Sequence, residues 1–479
     1  VSSGWREKVE KDLGGASFER ALVTELAGGL RVEPLYDAYR AVPVRVGRAG
    51  PVTLAVVQWS DRASAAPTVG GCARWMLGAP TATDGRDIVE ADGVVCEAGE
   101  SLAHAIDVHE GGGSIPLELG VSIARFIETV RETGRAPSLG VAVGTEVFVE
   151  IAKLRALRAL ASRAAEALLD APVTVRVAAR TSLVPFSRVE QQTNALRATL
   201  ACVAALLGGA DLVATAPYDL LAPSDDREVR ERADRLAATT GLIATLESHL
   251  ATTTDPCHGA YFVEALTAEL CVRAWEVVRA LEAAGGARAA EGIWRAKLAT
   301  DAAARARDAA RGKLPRVGAS RFAAPGAPVE GPIHTLAAHV QRDTAAFEAL
   351  RAVARPVSIV VAGDARKLGP RVDYVRDVVA AWGASAQMRR FASVDEACVA
   401  VRDAPLHDVV AVCVEDAELP ALAPLLRALA SASMPARAVV VAGRPGASEV
   451  PLREAGARAF VHVGADLVAV AREIFGGAR

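Results

Sequence analysis

Two rhythms run along this chain. Short apolar runs of strand length, built from Val, Ala and Leu, alternate with longer stretches whose apolar residues recur at helical spacing. In the first half, strands are expected at Val52–Gln58, Asp92–Glu97, Ile115–Leu119, Ser138–Val143, Val173–Ala179 and Asp211–Thr215. Helices are expected at Ser101–Val108, Ile123–Arg131, Val147–Leu169 and Gln191–Leu207. Strands that alternate with helices imply βα units and a parallel sheet, and many units over about 250 residues suggest a (β/α)8 barrel. Two weak strands, near Ala73–Leu77 and Leu242–Leu246, would complete the eight. The second reads better as helix, so the barrel is expected to be reduced.

Long helical patterns follow at Asp225–Leu250, Ala260–Ala284 and Gly292–Arg311. Residues 312–332 are dense in Gly and Pro and read as a linker, and Thr335–Val353 reads as a helix. From Pro356 the alternation restarts, with strands near Val357–Val361, Ala386–Arg390, Val409–Val414, Ala438–Ala442 and Ala459–Val463. Five strands in about 120 residues fit a flavodoxin-like domain. Gly363–Gly369 is then the loop at the carboxyl end of its first strand, where open α/β sheets hold ligands. Ahead of the barrel, Trp5–Leu13 and Ser17–Leu26 read as short amphipathic helices and Val32–Tyr36 as extended chain. The organisation expected is an arm (1–40), a barrel (41–311), a linker (312–355) and a second α/β domain (356–479).

Composition narrows the class. Hydrophobic residues make up 51% of the 479, with mean hydropathy +0.24 and only 4% aromatics, so the core is expected to be Ala, Val and Leu. A net charge of -3 attracts neither nucleic acid nor an anionic membrane over the whole chain. No run approaches the roughly 18 apolar residues of a membrane span. Seven scattered cysteines, without a C-x-x-C pair, read as reduced thiols of a cytoplasmic protein and not as zinc ligands.

Several long motifs carry a family resemblance. Leu246–Thr267 contains Glu-Ser-His-Leu, then Asp-Pro-Cys-His-Gly-Ala-Tyr-Phe-Val-Glu-Ala-Leu-Thr. Val147–Ala156 reads Val-Phe-Val-Glu-Ile-Ala-Lys-Leu-Arg-Ala, and Arg180-Thr-Ser182 precedes Asn194 and Arg197. These resemble, in order, segments of the methylmalonyl-CoA mutase family. Pro34-Leu-Tyr36 resembles the end of that family's subunit-embracing arm. The resemblance implies an acyl-CoA barrel joined to a cobalamin-binding domain that together perform a radical 1,2-rearrangement.

The departures are as informative. Catalytic members carry Asp-x-His-x-x-Gly after the first strand of the cobalamin domain, and the histidine ligates cobalt. Here the loop is Asp364-Ala-Arg366-Lys-Leu-Gly369, and arginine has no lone pair to offer a metal. Val360 replaces the family's lysine, Cys413-Val-Glu415 its Ser-x-Leu, and Gly443-Arg444 its Gly-Gly. A Tyr-His pair is missing ahead of Glu97-Ala-Gly99, and the His-Thr-Asn segment is Ala214-Thr-Ala216. Together these losses resemble the non-catalytic small subunit of heterodimeric mutases. The resemblance then implies no catalytic residue, metal or cofactor on this chain, with adenosylcobalamin held by a large catalytic partner. An active mutase for another acyl-CoA and a partnerless binding module are the alternatives.

Candidate acyl-CoA contacts are Lys153, Arg155, Arg180, Ser182, Asn194 and Arg197. The competing role for Lys153 and Arg155 is a solvated or salt-bridged helix face. For Asn194 and Arg197, one helical turn apart, it is packing against the barrel rim. Asp255 and Asp364 read as caps, His249 and His258 as isolated side chains, and Cys96 as a small core residue. The arm reads equally as a lid on its own barrel.

Overall fold

The structure is a computed structural model that describes residues 3–26, 29–36, 48, 51–59, 72–77, 88–91, 94–97, 100–433 and 435–476. The chain divides into two units. Residues 1–186, 191–305 and 331–342 form the first, and 187–190, 306–330 and 343–479 the second.

The first unit opens with helices Ser3–Asp12 and Phe18–Leu22, the latter capped by the Ser17 side chain. The antiparallel strands β1 (Thr24–Leu26) and β2 (Leu30–Val32) follow, where a longer helix to Leu26 was expected. Trp5 meets Phe18 edge-on at 6.0 Å, and Arg6 lies over the same ring. Leu30 is buried among the helices that surround the barrel, and the Tyr36 ring lies 5.3 Å from Phe262. This part of the arm therefore packs on its own unit. Residues 37–40, the expected end of the arm, lie outside the described residues.

Eight strands close the barrel: β3 (Thr53–Trp59), β4 (Ala73–Leu77), β5 (Ile88–Ala91), β6 (Val94–Glu97), β7 (Glu100–His104), β8 (Leu139–Val143), β9 (Val177–Thr181) and β10 (Leu212–Thr215). Seven run parallel, but β6 is antiparallel to both β5 and β7. The barrel is therefore not reduced in strand number as expected: a β5–β6–β7 meander supplies the strands that Leu242–Leu246 does not, where helical crossovers were expected. Ala73–Leu77 is the weak strand that materialised. Leu242–Leu246 falls at the end of helix Arg227–Leu242 and in the π-turn Ile243–Glu247.

Two expectations fail nearby. Ser101–Val108 is not a helix but the end of β7 followed by helix Ile106–Glu110. Ile115–Leu119 is not a strand but the start of helix Ile115–Thr133, with Pro116 in its first turn and Gly134 as its left-handed C-cap. That helix is buried on two sides. Leu119, Ile123 and Phe126 face the barrel layer, while Leu117, Val121 and Ala124 face a second cluster with Trp294. Burial on both sides filled in the polar positions that would have exposed the helical period. At Gly120 the helix Tyr261–Ala283 approaches so closely that a Cβ would lie 2.4 Å from Val277.

Strand alternation sorts the barrel residues. Val141, Val143, Val177 and Ala179 point outward to helices Val147–Leu169 and Tyr261–Ala283. Ala55, Val57, Trp75, Leu77, Leu102, Ala142, Ala178 and Ala214 point inward and form one cluster with Phe186, Leu220, Ala337 and Val340. Among the described residues, the inward side chains form a packed core.

In the second unit, β11 (Val357–Ala362), β12 (Ala386–Phe391), β13 (Val409–Cys413), β14 (Ala438–Ala442) and β15 (Ala457–Val461) form a parallel sheet of order β12-β11-β13-β14-β15. Ile359 and Val361 face helices Ala365–Ala381 and Leu467–Phe475, while Val360 and Val412 face helix Ala423–Ala430. The expected helix Thr335–Val353 is broken into a 3-10 turn, Thr335–Ala337, and a short helix, Ala345–Leu350.

Trp75 is fully buried in the barrel interior. Trp75→Ala is expected to destabilise the first unit by about 3–5 kcal/mol, because the cavity cannot collapse between strands. Denaturant unfolding followed by circular dichroism measures this, and a loss under about 1 kcal/mol would mean the interior is not packed as described.

Candidate functional site

The carboxyl ends of the parallel barrel strands carry most of the polar side chains in question. Glu110 closes the helix after β7, Ser182 directly follows β9, and Asp219 lies in the loop after β10. Residues 331–342 run across this mouth. His334 N donates to Leu221 O, Gln341 N donates to Glu110 O (both 2.7 Å), and Ala337 and Val340 join the interior cluster. Arg180 points inward just below, and its Nη1 donates to Glu110 Oε1 at 2.9 Å. His339 approaches the other Glu110 oxygen at 3.6 Å. Burial pushes the Glu110 carboxyl up, but Arg180 and His339 more than offset this and leave it at about 2.

The other candidate contacts are consumed in the same way. Lys153 is fully buried, and its Nζ donates to Ala142 O (2.7 Å) and to Glu118 (3.3 Å) and pairs with Glu150 (2.7 Å). Burial opposes its charge, yet the two carboxylates raise its pKa above the ordinary lysine value. Arg155 is buried and bonds Asp255 and Glu264, which ties helix Val147–Leu169 to the start of helix Tyr261–Ala283. Asp255 is therefore a salt-bridge partner and not the expected cap; the capping position is Ala260. Lys153 is 0% and Arg155 1% exposed. Asn194 donates to Tyr218 O, which holds the helix Thr193–Leu207 to the loop after β10, and accepts from Arg197 one turn along the same helix.

Ser182 belongs to a relay that the sequence did not suggest. Its Oγ is 2.8 Å from His109 Nε2, and His109 Nδ1 is 2.9 Å from Glu118 Oε2. The order resembles a nucleophile–base–acid triad. Ser182 is fully buried, however, and its Oγ also accepts from Val184 N, so the relay pins β9 to helix Ile115–Thr133. Glu110 and Glu118 are the partners missed by sequence reading. The one local signal was His109-Glu110 ahead of Gly111–Gly113, a polar pair at a turn. Glu97-Ala-Gly99 stands at the β6–β7 hairpin; residues 98–99 and the Cys96 side chain lie outside the described residues.

Above β10, Gln58 Nε2 donates to Asp234 Oδ2 at 2.7 Å. Burial pushes Asp234 up to about 7 and Asp219 up to about 6.

In the second unit the expected loop is shorter than Gly363–Gly369. Gly363 turns with φ 125°, Asp364 caps with its side chain accepting from Arg366 N, and the helix begins at Ala365. Gly369 is inside that helix. Arg366 is exposed at its first turn. Arg371 spans the strand ends, donating to Val414 O, Ala442 O and Asp416, and Lys367 pairs with Glu415. His462 sits at the end of β15 with Nδ1 against Val463 O, and His407 precedes β13. A flat corrin with a histidine below it does not fit this crevice: arginine cannot ligate cobalt, and Arg371 fills the space between the loops. Among the described residues, no group of three or more His, Cys, Asp or Glu stands close enough to hold a metal. No described helix is long and apolar enough to cross a membrane.

The Arg180–Glu110 pair fixes a pH dependence. A carboxyl lowered from 4.5 to about 2 contributes stability that is complete above pH 4.5 and is lost as pH falls towards 2. In Arg180→Met the buried carboxylate loses its main partner, so stability near pH 7 is expected to drop by roughly 3–5 kcal/mol and the acid-side slope to flatten or reverse. Urea unfolding at pH 3, 5 and 7 reads both; an unchanged slope would contradict the pairing.

Residues 105–362, just over half of the chain, match the family model described as methylmalonyl-CoA mutase. The barrel from Ala105 onward and the start of the second unit fall inside this match, whereas Glu97–Gly99 falls before it. A probable methylmalonyl-CoA mutase small subunit of Mycobacterium bovis is 35% identical over 271 residues, 53% of this chain and 44% of that protein. The methylmalonyl-CoA mutase small subunit of Streptomyces virginiae is 37% identical over 232 residues, 46% of this chain and 37% of its own length. That of Propionibacterium freudenreichii subsp. shermanii is 31% identical over 204 residues, 39% and 31%. The matches thus span less than half the length of these relatives. With more than half its residues in that match and the motif-bearing helices assembled around one barrel, the chain belongs to the methylmalonyl-CoA mutase family.

Proposed function

We propose that this chain is the non-catalytic small subunit of a heterodimeric mutase that interconverts methylmalonyl-CoA and succinyl-CoA. The observation that carries this reading is the filled barrel. Trp75, Val57, Leu77 and Phe186 occupy the interior, Arg180 and Glu110 neutralise each other below the mouth, and residues 331–342 cross it. A thioester with a long pantetheine arm has no passage through such a core. The second unit, read as a flavodoxin-like domain, supports the same conclusion, because Arg371 takes the crevice where the family places its corrin.

Adenosylcobalamin in this reading is held by a large catalytic partner, where it supplies the radical chemistry. The role left for this chain is to bury partner surface and keep that subunit folded, as obligate interfaces do. The names carried by the relatives agree with this assignment. None of Lys153, Arg155, Arg180, Ser182, Asn194 and Arg197 contacts substrate; each is a structural pin. In this proposal the arm (1–40), barrel (41–311), linker (312–355) and second domain (356–479) name functional segments, with residues 331–342 of the linker packed into the barrel unit.

Co-expression with a catalytic large chain tests the reading. The two are expected to co-purify in equal amounts, and the chain alone to leave the visible spectrum of added cobalamin unchanged and to turn over no acyl-CoA. Isomerase activity in the lone chain would overturn the proposal, and a stable homodimer that ignores the large chain would favour a partnerless module.

A further inference from the structure

One helix of the barrel unit turns its large apolar side chains outward and its small ones inward. Helix Arg227–Leu242 runs on into the π-turn Ile243–Glu247. Its barrel side is made of Ala233, Ala237, Ala238, Gly241 and Ala244, all buried, and a Cβ on Gly241 would lie 3.1 Å from Leu54 of β3. Its solvent side carries Leu236, Ile243 and, in the π-turn, Leu246. Helix Thr193–Leu207, which packs beside it, repeats the arrangement: Ala198, Ala201, Ala204 and Ala205 are buried, while Leu196 and Leu200, one turn apart, face solvent. These five large side chains are between 44% and 70% exposed.

Polarity changes in step. Nine of the eleven residues from Asp225 to Arg235 are charged, but none of the eleven from Leu236 to Leu246 is. Leu236 and Ile243, seven positions apart, share one helix face. The threonines nearby do not make that face polar. Thr199, Thr239, Thr240 and Thr245 donate their hydroxyls to carbonyls four residues earlier, so these donors are spent within the helices. Single exposed leucines are ordinary. A charge-free stretch with large aliphatics outside and alanines inside has instead the composition of an interface core. It offers neither a counter-charge nor a free donor, so the surface complementary to it is apolar and uncharged. The stretch also leads directly into Glu247-Ser-His249, exposed residues at the start of the Leu246–Thr267 motif that resembles the mutase family. From these observations we infer that the face of Leu236, Ile243 and Leu246, flanked by Leu196 and Leu200, is where the large catalytic chain docks, through an apolar, uncharged face of its own. The inference rests on the subunit reading and adds to it the place of contact.

The test uses the full chain and a catalytic large chain of this family, with the affinity of the pair measured by sedimentation. Leu236→Lys and Ile243→Lys each set a charge on the face without altering the barrel side, and lysine is a good helix former. Each is expected to weaken the complex by about tenfold or more, because the ammonium would be buried without a partner. The circular dichroism spectrum and thermal midpoint of the lone chain should stay those of the parent. Ile293→Lys, on the exposed side of helix Glu291–Ala310, should leave the affinity unchanged. Equal binding by the parent and both variants would overturn the inference and leave the subunit reading standing. Equal weakening by Ile293→Lys would overturn it too, since the effect would not belong to this face. No complex with the parent would overturn both the inference and the reading. A homodimer of the lone chain that Leu236→Lys dissolves would assign the face to a second copy and also overturn the inference.

Discussion

A charge buried in a protein must be matched where it stands, and that constraint governs the barrel of this chain. Lys153, Arg155, Arg158 and Arg180 are all buried. Each is surrounded by its own carboxylates and carbonyls: Glu118 and Glu150 for Lys153, Asp255 and Glu264 for Arg155, Asp211 and Gly209 O for Arg158, and Glu110 for Arg180. Such pairs add little net stability over apolar replacements, but each is costly to break. They therefore fix geometry: helix to strand, helix to helix and strand to loop. The same pairing leaves these four side chains almost without solvent exposure.

The closure of the barrel follows from a second constraint. Closing a sheet requires every edge to be paired, but not every strand to be parallel. The β5–β6–β7 meander completes the ring with antiparallel pairing instead of helical crossovers. Among the described residues, the inward side chains of the other strands meet in one cluster that includes Trp75, and residues 331–342 bond to the loops at the mouth.

Much of this was legible in the sequence. The strands β11, β13 and β14 of the second sheet were readable because each is a short run rich in Val and Ala, and the edge strands β12 and β15 followed from the alternation with helices. The helix Val147–Leu169 was readable to the residue. What failed did so for physical reasons. Ile115–Leu119 has apolar neighbours on two faces, so its helical period is invisible over five residues. Ser101–Val108 joins a strand end to a single helical turn, and no periodicity spans that junction. The expected loop Gly363–Gly369 is mostly helix because Asp364 caps it, a possibility the residues had already raised. At the site, the cations of the motifs were visible, but their partners were not. Lys153 meets Glu118 across 35 positions and Arg155 meets Glu264 across 109, distances over which no local pattern reports.

A barrel filled in this way is expected to hold no CoA thioester. Equilibrium dialysis of the purified chain against a radiolabelled acyl-CoA tests this without reference to any partner or cofactor, and retention at millimolar ligand should not exceed that of an unrelated protein. Saturable binding of one equivalent, weakened by enlarging an interior side chain such as Ala142→Leu, would contradict it.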